Sequence, residues 1–136
     1  MIINANNLIL GRLASFAAKQ ALLGEKIEIV NSEETVIIGS KKVIYAKYDE
    51  KIKKGNPHHG PFFPERPDRI LKRTIKNMLP YKQYKGKRAF KNITCYLGIP
   101  ENIKENNAIT VESAKLKETA IKYIKLKELI RLLKQK

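Results

Sequence analysis

"KIEIVNSEETVIIGS", residues 26–40, decides the fold class. Its first half, "KIEIVN", alternates Lys26, Ile27, Glu28 and Ile29, the period-two pattern of a half-buried strand. Its second half, "ETVIIG" (34–39), is a β-branched run that reads as another strand. Helical patterning lies on both sides. Upstream, "NLILGRLASFAAKQALLG" (7–24) reads as a loop and a helix, with Leu13, Phe16, Ala17, Ala21 and Leu23 at helical spacing and Gly24 as a stop. Downstream, Ser40 is placed to cap a helix over "KKVIYAKYDEKIKK" (41–54), with Val43, Ile44, Ala46 and Tyr48 as its apolar contributions.

Working outward, "IINA" (2–5) is a short apolar strand, and "NITCYLG" (92–98) is a fourth, ended by Gly98 and Pro100. "GNPHHGPFFPERP" (55–67) is a loop with two Gly and four Pro. Strands that alternate with helices argue for an α/β domain with a mostly parallel sheet and helices on both faces. With 136 residues, 43% of them apolar, the chain suffices for one domain with a real core. The expected organisation is a single domain over 1–136, with a core of 1–100 and a C-terminal helical extension of 101–136. Within that extension 101–112 is a polar excursion, and helical patterning returns from Ser113. Its stripe of Leu126, Leu129, Ile130, Leu132 and Leu133 fits core or a protein contact better than a membrane surface.

Charge is the strongest functional signal. The chain holds 28 Lys and Arg against 13 Asp and Glu, a net +15 at pH 7, with a pI near 9.9. A small domain gains nothing in folding from such self-repulsion, so a polyanionic partner is the simplest explanation. The excess is uneven: residues 66–91 alone hold ten bases and one acid. Within them, "RPDRILKRTIKNMLP" (66–80) reads as a helix. At about 100° per residue, Arg66, Arg69, Lys72, Arg73 and Lys76 fall in an arc of roughly 120°. Leu71, Ile75, Met78 and Leu79 occupy a separate arc. Pro67 suits the first turn, Asp68 favours the positive end of the helix dipole, and Pro80 stops the helix.

The segment that follows, "YKQYKGKRAFK" (81–91), adds Lys82, Lys85, Lys87, Arg88 and Lys91, with Tyr81 and Tyr84 between them. Tyrosine can stack on an unpaired base or bond to a phosphate, and Gly86 permits close backbone approach. An exposed helix normally interleaves Glu with Lys; no acid appears from Arg69 to Lys91. Nucleic acid is therefore favoured over a solvated basic face. No helix-turn-helix, zinc finger, basic zipper, aromatic RNP1 strand or GXXG loop is present. The expected mode is phosphate and shape recognition of folded RNA by a helix and its flanking loops.

Other signals point less far. His58 and His59 lack the further ligands that a metal site needs, and contact with RNA is the better reading of their loop. Cys95, the single cysteine, reads as a buried small hydrophobe in a reducing cytosol. "LGRLAS" lacks the glycines of a phosphate-binding fingerprint, and Arg12 is open between phosphate contact and an ordinary surface role. An enzyme would need a convergent acid, base or phosphate loop, and Glu33 and Glu34 have no evident partner in the sequence. Neither a signal peptide nor a transmembrane span is expected.

The order of motifs resembles the universal large-subunit ribosomal protein thirteen family. "LGRLAS" with "LLG", "IVNSEETVIIG", "RPDRILKRTIKNMLPYK" and "GKRAFKNITCYLGIP" are similar to four of its motifs, in order and at the right spacing over residues 3 to 100. "GIP" and the short N-terminus resemble the archaeal and eukaryotic branch. Asn77 stands where the family usually has Gly. The resemblance implies a three-layer α/β/α fold around a four-stranded parallel sheet, with an extended piece leading into the last helix. It implies a cytoplasmic, non-enzymatic constituent of the large ribosomal subunit that binds its RNA, joins early in assembly on the outer surface and lies beside other ribosomal proteins. No cofactor, small-molecule substrate or membrane partner is expected. The alternative is a free regulatory RNA-binding protein. The residues expected to meet RNA are Arg12, Lys41, Lys42, His58 and His59, the helix cations Arg66, Arg69, Lys72, Arg73 and Lys76, and Tyr81, Lys82, Lys85, Lys87 and Arg88.

Overall fold

Three short apolar strands found in the sequence, and one hidden in a polar stretch, make the central sheet. In chain order the elements are β1 (Ile2–Asn4), α1 (Leu10–Leu22), β2 (Ile27–Val30), a 3-10 turn (Ser32–Glu34), β3 (Val36–Ile38), α2 (Lys41–Lys53), α3 (Pro67–Asn77), α4 (Tyr84–Lys91), β4 (Ile93–Cys95), β5 (Ala108–Ile109), β6 (Tyr123–Lys125) and α5 (Leu126–Lys134). The computed structural model describes residues 1–117, 119 and 122–135. The sheet has strand order β4-β2-β1-β5, and every pairing is parallel. With the helices around it, this is the α/β/α class expected.

Register explains the core. Ile3 lies opposite Ile29, Ile29 opposite Cys95, and Ile27 opposite Ile93. Strand alternation therefore gathers Ile3, Ile27, Ile29 and Ile93 on one face, and all four are buried. They join one cluster with Leu13, Ala14 and Ala17 of α1, Ile70, Leu71 and Ile75 of α3, and Ala89 of α4. Each fully buried Leu or Ile contributes about 1.5–3 kcal/mol to holding α1, α3 and α4 on the sheet. Ile2, Glu28 and Thr94, which point the other way, are only half-buried.

Four expectations are corrected here. The β-branched run is a strand, but it is outside the parallel sheet: β3 pairs antiparallel with β6, with Val36 opposite Lys125 and Ile38 opposite Tyr123. The cause is local, since Asn31 adopts a left-handed conformation (φ 57°) and the 3-10 turn leads the chain out of line with β2. The fourth sheet strand is instead β5, where Ala108 and Ile109 lie opposite Ile2 and Ile3.

The boundary at residue 100 also moves. Val111, Ala114, Ile124, Leu126, Leu129 and Ile130 belong to the same buried cluster as Ile3. The later residues thus complete the sheet and the core rather than forming a helical extension. Among the described residues, helix there is limited to 3-10 turns at Glu105–Asn107 and Glu112–Ala114 and to α5, and the extended β6 leads into α5. The expected helical stretch also covers positions 118, 120, 121 and 136, which lie outside the described residues.

Thirdly, "YKGKRAFK" is helix α4 and not loop. Fourthly, α2 buries Ile44 and Tyr48, one turn apart, whereas Val43 is 67% exposed and Ala46 is exposed. Ser40 does stand at the N-cap of α2, but its hydroxyl makes no capping bond. Among the described residues no helix is long and apolar enough to cross a membrane.

Candidate nucleic-acid interface

α3 is built to show one face. Pro67 occupies its first turn and Asp68 the acidic position there. Ile70, Leu71 and Ile75, with Leu79 just beyond the end, are buried, while Arg69, Arg73 and Lys76 are exposed. Lys72, at the border of the two arcs, is half-buried. Met78 departs from its expected place in the core. It follows the last helical residue and is 43% exposed. Thr74 satisfies its hydroxyl within the helix, donating to the carbonyl of Ile70 at 2.9 Å.

The aromatic residues around α3 hold its cations in place. The Lys72 ammonium lies 4.9 Å from the ring centroid of Phe90 on α4, and that of Lys76 lies 4.9 Å from Tyr81. The Arg73 guanidinium lies 5.0 Å from the ring of Phe63, in the loop before α3. Lys51 of α2 reaches the same ring at 5.4 Å and the ring of Tyr48 at 5.0 Å. Such contacts contribute about 0.5–1 kcal/mol each at exposed sites. They also fix long side chains that would otherwise sample many rotamers. Burial, with help from the like charges of Lys47 and Arg73, lowers the pKa of Lys51. Burial likewise raises that of Tyr48.

α4 packs close beneath the turn that ends α3. A Cβ on Gly86 would overlap the carbonyl of Pro80 and stand 2.8 Å from the amide nitrogen of Tyr81. The close approach that this glycine permits is therefore to the protein's own backbone, not to an outside partner. With Gly86 and Ala89 buried, α4 turns Tyr84, Lys87, Arg88 and Lys91 outward at i, i+3, i+4 and i+7.

Few of these cations are neutralised. Of the ten between residues 66 and 91, Arg66 pairs with Asp68 at 3.3 Å. The other nine have no ion-pair partner among the described residues. Lys76, Lys87, Arg88 and Lys91 line one open cleft of about 450 Å³ with Tyr81, Tyr84 and Phe90. Lys82 and Lys85 are exposed beside it.

The remaining expected residues are scattered. Arg12 sits near the start of α1 and donates at 3.4 Å to the carbonyl of Ser113. It is about 15 Å along the helix from the end that meets α4. Lys41 pairs with Glu128 of α5 at 2.9 Å, on the α2–α5 side of the molecule, and Lys42 is exposed beside it. His58 and His59 are exposed in the loop whose Phe63 docks Arg73. Sequence reasoning missed Lys51 and Lys54, which line a second depression with Arg73, Thr74 and Asn77. The signal was available in "KIKK" (51–54), where bases at i and i+3 share a helix face.

The features of an enzyme are accounted for structurally. Open α/β sheets hold ligands at the carboxyl ends of their strands. Here that region is closed by the chain itself. Asn31 and Ser32 donate backbone N–H bonds to the carbonyls of Gly98 and Tyr96 at 2.9 and 3.1 Å. Gly98 in turn donates to the Glu33 carboxylate at 3.0 Å. Glu34 binds Lys125 at 2.7 Å and Lys127 at 2.6 Å, so both acids have partners that the sequence did not reveal. Burial pushes the Cys95 thiol up to about 12, which suits packing and not nucleophilic chemistry. Among the described residues no cluster of three His, Cys, Asp or Glu could hold a metal ion.

Fold and site thus define an α/β protein with a cationic surface held rigid on its core. Comparison with known proteins makes this specific. Residues 1–102 match the family model described as Ribosomal protein L13, and the chain belongs to that family, which is one of structural ribosomal proteins and not of enzymes. It is 48% identical over 129 residues to the large ribosomal subunit protein uL13 of Methanosarcina barkeri, covering 93% of this chain and 92% of that one. Its identity to the protein of the same name from Methanocaldococcus jannaschii is 50% over 132 residues, covering 94% and 93%. To that of Methanococcoides burtonii it is 44% over 136 residues, covering 99% and 98%.

Proposed function

We propose that this chain is a structural constituent of the large ribosomal subunit in the cytoplasm. It binds large-subunit ribosomal RNA through α3, the turn after it and α4, supports subunit assembly and lies beside other ribosomal proteins. The observation that carries the reading is the set of nine cations between residues 69 and 91 without an acidic partner among the described residues. The names of the relatives, large ribosomal subunit protein uL13, support the assignment to that particle.

The mechanism is electrostatic and geometric. Each phosphate that a Lys or Arg neutralises releases condensed counterions, and this release drives binding. Arg69, Arg73 and Arg88 can each meet a phosphate with two parallel N–H donors, which fixes orientation as well as charge. The aromatic contacts of Phe63, Tyr81 and Phe90 hold Arg73, Lys76 and Lys72 respectively in place before RNA arrives. Less side-chain entropy is then lost on binding.

Sedimentation of a cell lysate on sucrose gradients, with this chain followed across a salt series, tests the proposal. The expected result is co-migration with the large subunit that persists into moderately high salt. A chain found only at the top of the gradient at every salt concentration overturns it.

A further inference from the structure

Resting on the RNA-binding reading above, we infer that the cleft between the end of α3 and α4 receives an unpaired nucleotide, whose base stacks on Tyr84 while its phosphates meet Lys87 and Arg88. The surface would then read single-stranded features of the RNA as well as duplex phosphates.

The cleft has the two qualities that an unstacked nucleotide needs. Its walls are aromatic, from Tyr81, Tyr84 and Phe90. The charged residues that line it are all basic, Lys76, Lys87, Arg88 and Lys91, with no acid among them. At about 450 Å³ it falls within the range of small-ligand sites. A purely phosphate-binding surface has no need of apolar walls.

Tyr84 is singled out by what the other rings already do. Lys76 covers Tyr81 and Lys72 covers Phe90, each at 4.9 Å from the centroid. Tyr84 carries no such cation among the described residues and is 80% exposed. It opens α4, so its ring stands at the head of the stripe formed with Lys87, Arg88 and Lys91. Lys87 and Lys91 are like charges at i and i+4, Arg88 and Lys91 are like charges at i and i+3, and α4 has no acid to offset them, which disfavours the isolated helix. A bound anion removes that cost. A π-face flanked by cations is the general means by which proteins hold single-stranded nucleic acid, and each base stacked is worth about tenfold or more in affinity.

Two RNA hairpins that differ only in one bulged 2-aminopurine, extruded in the first and paired in the second, separate this inference from the reading it rests on. The full chain, at low salt, is expected to bind the bulged RNA about tenfold more tightly and to quench its fluorescence by stacking. Tyr84→Ala should lose both the preference and the quenching while binding the paired hairpin as before, and Tyr84→Phe should keep both. Because Tyr84 is exposed, circular dichroism should show either variant folded. Equal wild-type affinity for the two RNAs without quenching, or a preference that survives Tyr84→Ala, overturns the stacking site and leaves phosphate binding standing. So does an equal loss by Tyr84→Ala on both RNAs. Failure of the wild-type chain to bind either hairpin overturns both readings.

Discussion

Gly86 and Pro80 are in such close contact that a Cβ on the glycine would overlap the proline carbonyl. The obstructing atoms are backbone, which cannot swing aside as the end of a side chain can. Gly86→Ala should therefore push α4 off the turn at Pro80 and Tyr81. Overpacking of this kind costs about 1–3 kcal/mol. The expected outcome is a lower urea midpoint at an unchanged slope. A midpoint equal to that of the wild type would show that the two backbones have room to separate.

Gly11 supplies the contrast. It lies in the first turn of α1, and a Cβ there would meet nothing within 4 Å. The backbone is already helical, so Gly11→Ala should stabilise the protein by about 0.5–1 kcal/mol, mostly by restricting the unfolded chain. Thermal unfolding of the two glycine variants side by side checks both predictions, since they should move in opposite directions.

The difference between these glycines marks what the sequence could convey. Periodicity located β1, β2, β4, α1, α2 and α3 because each buries a regular stripe or alternation. It could not locate β5, which is two residues long and becomes a strand only by pairing with β1. It could not exclude β3 from the sheet, because β-branched residues specify extended backbone but not a partner. α4 was hidden by its composition, with four cations and a central glycine in eight residues. In the candidate site the cationic arc of α3 was legible from its 3.6-residue spacing. The rings that hold it were not, since Phe63 and Phe90 reach Arg73 and Lys72 only through the fold.

Glu34 makes one tie between the early and late parts of the chain pH-dependent. Hydrogen bonds from Lys125 and then Lys127 hold its pKa below the ordinary 4.5. A depressed carboxylate contributes stability that is full above the unfolded value and is lost as pH falls through the folded one. The wild type should therefore be more stable than Glu34→Gln near neutrality, and the gap should shrink as the pH drops below 4.5. Denaturant titrations over about pH 3 to 7 measure this. A gap that is constant with pH would show that the carboxylate does not hold β6 and α5 through its charge.

Cys95 should be inert in the folded protein. Its thiol is raised from 9.0 to about 12, chiefly by burial, so at neutral pH almost none is thiolate. Lys72 opposes the shift and Asp68 reinforces it. Alkylation by iodoacetamide near about pH 8 is expected to be slow in the native state and fast in denaturant. Modification at similar rates in both states would place the thiol at the surface.

Arg73 and Lys76 test the basic face most directly. Both are exposed on α3, neither has an acidic partner among the described residues, and both rest on aromatic rings at the surface. Reversing the two charges, Arg73→Glu with Lys76→Glu, should cost about 0.5–1 kcal/mol of stability for each lost ring contact, which leaves the fold intact. RNA affinity should fall much further. If each residue neutralises one phosphate of a duplex, the slope of log affinity against log salt should flatten by about 2. Arg73→Lys alone should retain most of the charge term yet lose the two-donor grip on phosphate. Unchanged affinity and salt slope in the double variant, with a native circular dichroism spectrum, would remove α3 from the interface and leave α4 to carry the binding.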